Sequence, residues 1–161
     1  MVCRACGAAD HLLLKGADKL TIYQISVFVE NRLGRLSEIT GVLAKENIDI
    51  RALSIADTSD FGILRLIVNQ PDRAVEALRA AGITVSKTEV VAVRLNDRPG
   101  GLHEALVKLG ENSITVEYVY AFITKSDDAY VILRVEDNQK AAEVLRSNGY
   151  QTLCDSDVYG I

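Results

Sequence analysis

An internal duplication is the feature of the sequence that most constrains its fold. The segments "ENRLGRLSEIT" (30–40) and "NDRPGGLHEAL" (96–106) each follow a run of alternating apolar residues. Matching residues lie 66 positions apart at first and 67 later: Gly34 and Gly100, Leu36 and Leu102, Leu78 and Leu145, Gly82 and Gly149. One residue inserted in a predicted turn at 125–128 explains the change from 66 to 67, because turn tips tolerate insertions.

Each copy switches between two hydrophobic periods. At 22–30 apolar residues recur at every second position, which predicts a half-buried strand. At 35–46 Leu36, Ile39 and Leu43 fall on one stripe of a helix. The same periods predict strand, helix, strand, strand, helix, strand twice over, at 22–30, 35–46, 48–58, 62–69, 71–82 and 83–95, then at 90–95, 102–111, 113–124, 129–135, 138–148 and 150–154.

This order of elements predicts an α+β fold of two ferredoxin-like βαββαβ units side by side, with antiparallel sheets and the helices on one face. We expect the units at 21–88 and 89–155, because the last strand of one copy and the first of the next share the run 83–95. Residues 86–88, in the middle of that run, are polar and weaken its apolar pattern. The remaining ends are an N-terminal extension at 1–20, poorly ordered or weakly helical, and a C-terminal tail at 156–161.

Composition excludes several classes of partner. The 161 residues carry a net charge of -4 and contain no basic run, so we expect no nucleic-acid partner. No apolar stretch approaches the roughly 20 residues that span a bilayer. The three-leucine run at 12–14 is too short for a signal-peptide core. We therefore expect no membrane partner and a cytoplasmic protein. Exposed edge strands of the predicted sheets leave a homodimer open.

Sites for catalysis or metal binding are not apparent. Cys3, Cys6 and Cys154 are an odd number of cysteines and do not form a disulfide framework. Cys3 and Cys6, with His11 nearby, leave a metal carrier open, but a structural zinc site needs four ligands and no second pair follows. Residues 21–161 hold one histidine and one cysteine, far apart in sequence. We expect no enzyme activity, no metal and no cofactor.

The junction between the first strand and the first helix is the same in both copies. No Ser, Thr or Asp directly precedes either helix, so the N–H groups around Gly34 and Gly100 lack a side-chain cap. Uncapped N–H groups at the positive end of a helix suit an anion such as a carboxylate. Spacing alone favours the simpler explanation, a glycine that makes the turn. Arg32 and Arg98 also match, either as ligand contacts or as surface ion pairs.

Both copies resemble the opening of an ACT domain. The family is marked by a hydrophobic strand, then Asn/Asp-x-x/Pro-Gly-x-Leu, then a helix and an Asn/Gly-Ile strand entry. "ISVFVENRLGRLSEITGVLAKENIDIRALSI" and "VVAVRLNDRPGGLHEALVKLGENSITVEYVYAF" follow this pattern, and the resemblance covers residues 22–154. The second junction is the closer match, since Leu33 stands where the family commonly has proline. The whole chain is similar to stand-alone bacterial tandem-ACT proteins.

The resemblance implies a ligand-sensing module that binds an amino acid and regulates enzymes of amino-acid metabolism. In that family two units pair, and the ligand sits at their seam, near the first junction of one unit and the second strand of the other. The ligand-binding residues that it implies here are Asn31, Leu33, Gly34, Arg35 and Leu36 in the first copy, and Asp97, Pro99, Gly100, Gly101 and Leu102 in the second.

Two hypotheses of different kinds follow. The first is a non-catalytic regulatory module whose ligand, an amino acid or related carboxylate, favours one packing of the units, which a metabolic enzyme then recognises. The alternative is a regulatory or structural subunit that acts through protein contacts without a ligand. Because the two junctions differ (Asn31 against Asp97, Leu33 against Pro99), we expect inequivalent sites.

Overall fold

Two units make up a computed structural model of the chain, which describes residues 20–57, 60–123 and 128–159. The N-terminal unit is Tyr23–Glu89, and the C-terminal unit combines the described residues from Val90 onward with those up to Ile22. Of the extension predicted at 1–20, residues 1–19, with Cys3, Cys6 and His11, lie outside the described residues, as does most of the turn predicted at 125–128.

The N-terminal unit has the predicted order of elements. Its sheet runs β2-β3-β1-β4, and β3 pairs antiparallel with both β1 and β2. Two helices, α1 and α2, connect the strands across it. The elements are β1 (Ile22–Glu30), α1 (Arg35–Lys45), β2 (Ile50–Asp57), β3 (Phe61–Val68), α2 (Pro71–Ala80) and β4 (Val85–Asn96).

The C-terminal unit repeats this arrangement with the second half of β4 as its first strand. Its strand order is β7-β4-β6-β5, and every neighbouring pair is antiparallel. The α+β fold with two ferredoxin-like units is thereby confirmed. The elements after β4 are α3 (Gly101–Glu111), β5 (Val116–Ile123), β6 (Asp128–Val135), α4 (Asn138–Ser147), β7 (Gln151–Leu153) and α5 (Asp155–Tyr159).

Each unit has its own apolar core between helices and sheet. Ile39 and Leu43 of α1 are buried in the N-terminal core, and Ala105 and Leu109 occupy the same positions in the C-terminal core. The predicted stripe of α1 was wrong at Leu36, which is 43% exposed because it lies on the first turn. Leu20, which precedes β1, packs against the core of the C-terminal unit.

Two local features add to the sequence prediction. The polar middle of 83–95 lies within β4, as the strand-like run predicts, and there the Lys87 ammonium pairs with Asp72 and lies 4.1 Å from the centre of the Tyr23 ring. The expected tail contains α5, which the periodicity did not predict. The Cys154 carbonyl accepts a hydrogen bond from the Asp157 N–H, and the Asp157 carboxylate accepts one from the Cys154 N–H, both 3.0 Å.

The four longer helices end in the same hydrogen-bonding motif. After α2, Gly82 has φ 73° and donates to the Arg79 carbonyl, while the Ile83 N–H donates to the Leu78 carbonyl. Gly149 repeats this after α4, 67 positions later in the chain. After α1 and α3, non-glycine residues take the same left-handed position: Asn47 with φ 53° and Ser113 with φ 56°.

Replacement of Ser113 by glycine is expected to stabilise the C-terminal unit. A left-handed conformation costs an L-residue about 1–2 kcal/mol, and the greater freedom of glycine in the unfolded chain offsets part of that gain. We expect Ser113→Gly to raise the free energy of unfolding by about 0.5–1 kcal/mol in urea titrations. Ser37→Gly, inside α1, is the control and should lower it, because glycine weakens a right-handed helix. A loss of stability in Ser113→Gly contradicts the prediction.

Candidate functional site

Both strand-to-helix junctions are tight turns of one type. The Arg35 N–H donates to the Arg32 carbonyl at 3.2 Å, and Gly34 has φ 80° and ψ −6°. In the C-terminal unit the Gly101 N–H donates to the Arg98 carbonyl at 3.0 Å, and Gly100 has φ 89° and ψ −12°. These are the values of the third residue of a type II turn, which requires a positive φ. The turn therefore explains the repeated glycine.

The helices that follow these turns begin without a side-chain cap, as the sequence predicts. Gly34 and Gly100 are the N-cap residues, and each offers only its carbonyl, to the N–H of Glu38 and Glu104 respectively. Helix α4 differs, since the Asp137 side chain accepts from the Lys140 N–H at 3.0 Å. The first turns of α1 and α3 thus have no side chain that caps their N–H groups.

An arginine of each turn is tied to the first turn of its helix. Arg32 Nη2 donates to Glu38 Oε2 at 3.0 Å, and Arg98 Nη2 donates to Glu104 at 2.8 and 2.6 Å. All four side chains are about half exposed. These two arginines therefore form surface ion pairs. The pairing was detectable in the sequence, because Glu38 and Glu104 also lie 66 positions apart.

The N-terminal junction carries a second arginine that the other junction lacks. Arg35 Nη1 donates at 2.9 Å to Glu38 Oε2, the same oxygen that Arg32 contacts. The Arg35 side chain is only 14% exposed, and its buried Nε has no hydrogen-bond acceptor among the described residues. Arg32 Nε contacts Glu30 Oε2 at 3.1 Å. Two guanidinium groups thus converge on one carboxylate oxygen.

At the matching position the C-terminal junction has Gly101. A Cβ built there would lie 2.6 Å from the Asn96 carbonyl oxygen, so the backbone leaves no room for a side chain. This junction also has Asp97 where the other has Asn31. The two junctions therefore share a backbone conformation but differ in charge.

The structure brings the predicted site residues together within each unit. Asn31, Leu33, Gly34, Arg35 and Leu36 form the turn and first helical turn after β1, and the Asn31 N–H donates to the Asp60 carbonyl at 3.0 Å. Leu33, Leu36 and Leu102 are exposed. Asp97, Pro99, Gly100, Gly101 and Leu102 form the corresponding segment after β4.

Charge at the junctions shifts two pKa values. The hydrogen bond from Arg35 lowers the pKa of Glu38, and the charges of Arg35 and Arg32 add to this effect against a loss of solvation. The hydrogen bond and charge of Glu104 raise the pKa of Arg98. Glu38 and Arg98 are therefore both charged at neutral pH.

Other types of site have no counterpart among the described residues. Within 20–57, 60–123 and 128–159, no group of three His, Cys, Asp or Glu side chains could hold a metal ion. Over the same residues, no helix is both long and apolar enough to cross a membrane.

The family model for the ACT domain pair matches residues 20–161. The chain belongs to this family. It is similar to the crystal structure of protein BT0572 from Bacteroides thetaiotaomicron, at 40% identity and a TM-score of 0.84, over 90% of this chain and 100% of that one. No curated protein matches the sequence.

More distant structures share the fold of this ACT domain pair. The ligand-free regulatory subunit of aspartate kinase from Thermus thermophilus is 16% identical, with a TM-score of 0.59 over 85% of this chain and 99% of that one. The same subunit from Thermus flavus is 16% identical, with a TM-score of 0.57 over 80% and 93%. ACT domain pairs are a regulatory family.

The turn glycine of the C-terminal junction is expected to resist substitution. Gly100→Ala places a Cβ at φ 89°, so we expect it to lower the free energy of unfolding by about 1–2 kcal/mol. Gly110→Ala in α3 is the matched control, because a Cβ there meets nothing within 4 Å. It should raise stability by up to about 1 kcal/mol. Urea titration of both variants checks this, and equal effects would contradict it.

The pKa of Glu38 predicts a pH dependence. A carboxylate with a lowered pKa contributes stability that is present above the unfolded value of about 4.3 and lost as pH falls through the folded value. Wild type should therefore be more stable than Glu38→Gln at pH 7. The difference in stability should disappear as the pH falls below the pKa of Glu38 in the folded protein. Glu76→Gln, an exposed change of the same kind in α2, is the reference variant for the measurement. Thermal melts across pH 3–7 measure it.

Proposed function

We propose that this ACT domain pair is a non-catalytic regulatory module that binds a small amino acid or related carboxylate at its strand-to-helix junctions and controls an enzyme of amino-acid metabolism. One observation carries the proposal: Arg32 and Arg35 both donate to a single oxygen of Glu38. A guanidinium has five N–H donors, so these groups retain donors for a second carboxylate. The charge-assisted bonds that they would form are stronger than bonds between neutral groups.

The backbone supports the same ligand chemistry. Uncapped N–H groups at the start of α1 and the positive end of the helix dipole favour a negative group beside Gly34. We assign the α-carboxylate of the ligand to this turn, within reach of Arg35. The α-ammonium then goes to the oxygen acceptor of the same turn, Asn31; for a ligand at the C-terminal junction the acceptor is Asp97.

The two junctions are assigned different roles. The N-terminal junction has two arginines around Glu38, whereas the C-terminal junction has Gly101 in place of Arg35 and adds the negative charge of Asp97. An anion is therefore bound more weakly at Gly100 than at Gly34. We propose that the carboxylate occupies the N-terminal junction first.

Regulation follows by linkage. A ligand that favours one packing of the two units over another shifts their equilibrium, and a coupling of about 1–3 kcal/mol is typical of such switches. We propose that the protein is cytoplasmic, and that its partner is a metabolic enzyme that recognises one packing of the two units. The regulatory subunits of aspartate kinase, which share the fold, make an enzyme of this type the first candidate.

A thermal-shift screen of the purified chain against amino acids, keto acids and aromatic carboxylates tests the proposal. A ligand present at 100 times its Kd stabilises the folded state by about 2.7 kcal/mol. We expect one class of amino acid to raise Tm, and Arg35→Gln to reduce that shift strongly. Arg79→Gln, the same change in the last turn of α2, should leave it intact.

The same screen distinguishes the two junctions from each other, and the proposed function from its alternative. Gly34→Val should remove the ligand-induced shift, while Gly100→Val should weaken it less. A flat screen at millimolar ligand contradicts the proposal and favours the alternative, a subunit that acts through protein contacts alone. A shift that survives Arg35→Gln would place the carboxylate elsewhere.

A further inference from the structure

The two carboxylate oxygens of Glu38 are used unequally. Arg32 Nη2 and Arg35 Nη1 both donate to Oε2, at 3.0 and 2.9 Å. Oε1 accepts no hydrogen bond from any residue that the structure describes. An ionised carboxylate accepts hydrogen bonds on both oxygens. Because the Glu38 side chain is 46% exposed, Oε1 can accept from a molecule that approaches from solvent.

The matching carboxylate of the C-terminal junction has both oxygens engaged. Arg98 Nη2 donates to Glu104 Oε1 at 2.8 Å and to Glu104 Oε2 at 2.6 Å. Gly101 occupies the position that corresponds to Arg35, and in the described part of the chain no second guanidinium contacts Glu104. One arginine therefore satisfies both oxygens of Glu104, whereas two arginines leave one oxygen of Glu38 available.

The formal charges of the ion-pair network at the N-terminal junction cancel. Arg32 and Arg35 supply the positive charges, and Glu38 supplies one of the negative charges. Glu30 supplies the other, since its Oε2 lies 3.1 Å from Arg32 Nε. A bare anion would leave an unbalanced negative charge beside this network, whereas a zwitterion would not. The charge balance therefore favours a ligand that carries both a carboxylate and an ammonium.

We propose that Glu38 Oε1 accepts a hydrogen bond from the α-ammonium of the ligand, and that Glu38 thereby selects an amino acid over the corresponding keto acid. This inference rests on the proposed function, which assigns the ligand carboxylate to the same turn. That carboxylate takes the donors of Arg32 Nη1 and Arg35 Nη2, which have no acceptor among the described residues. The ammonium has three N–H donors, so it can bond to Glu38 as well as to Asn31.

The charge of Glu38 acts in opposite directions on the two kinds of ligand. It attracts the ammonium of an amino acid through a charge-assisted hydrogen bond. It repels a keto acid, which has a carboxylate but no ammonium. Glu38→Gln removes the charge and keeps the size of the side chain, so it should weaken one ligand and strengthen the other. A residue that only held the turn in shape would change both affinities in the same direction.

Isothermal titration calorimetry of the full chain at neutral pH tests this role of Glu38. The probes are alanine, leucine, phenylalanine and glutamate, each paired with its own keto acid, together with any pair that the thermal-shift screen adds. We expect wild type to bind the amino acid of at least one pair more tightly than its keto acid. For that pair Glu38→Gln should raise the Kd of the amino acid about tenfold. It should lower the Kd of the keto acid about threefold, because an exposed repulsion is removed.

Glu104→Gln is the matched control, because it makes the same change in the first turn of α3. It should leave the ratio of the two Kd values as in wild type. The inference is overturned if wild type binds both members of every pair equally, if Glu38→Gln moves both Kd values in the same direction, or if Glu104→Gln changes the ratio as much. Each of these results leaves the proposed carboxylate site standing. Absence of binding by every amino acid and keto acid contradicts the proposed function itself, and the inference with it.

Discussion

A single backbone hydrogen bond at each strand-to-helix junction governs the rest of its unit. The bond from the Arg35 N–H to the Arg32 carbonyl, and its counterpart between Gly101 and Arg98, close a turn that only a residue with positive φ completes without strain. Because the turn fixes where the helix begins, it also fixes which helical positions face the sheet. That is why equivalent residues of α1 and α3 are buried in the two cores.

The two copies have kept this backbone and changed its side chains. The N-terminal turn has leucine where the C-terminal turn has proline, and arginine where the C-terminal turn has a glycine with no room for a side chain. Such changes leave the turn intact, because its requirement for a positive φ falls on one residue only. The charge around each turn was therefore free to diverge, and one backbone design now presents two electrostatic environments. This divergence is the physical basis for expecting unequal roles of the two copies.

Hydrophobic period predicted the fold well because each strand and each longer helix buries one face. It misplaced Leu36, since a periodic position on the first turn of a helix extends beyond the sheet that would cover it. It missed α5, whose start depends on Cys154 and Asp157 rather than on the Ser or Thr that usually signals a cap.

The sequence predicted the backbone features of the candidate site and the segments that carry them. The turn glycines and the uncapped helices follow from the sequence, because each depends on one residue type at one position. The convergence of Arg32 and Arg35 on Glu38 does not, since it depends on rotamers and burial that spacing cannot supply. The repeat of Glu38 at Glu104 was a usable signal of the ion pairs.

Leu20 gives the protein an unusual order of assembly during its synthesis. It precedes the N-terminal unit in the chain but packs against the core of the C-terminal one. A ribosome adds roughly 5–20 residues per second, so about 70 residues separate Leu20 from the first of its partners by roughly 4–14 s. During that interval the N-terminal unit, which is continuous in sequence, can complete its own core. Leu20 must therefore wait for the C-terminal unit to emerge before it can pack.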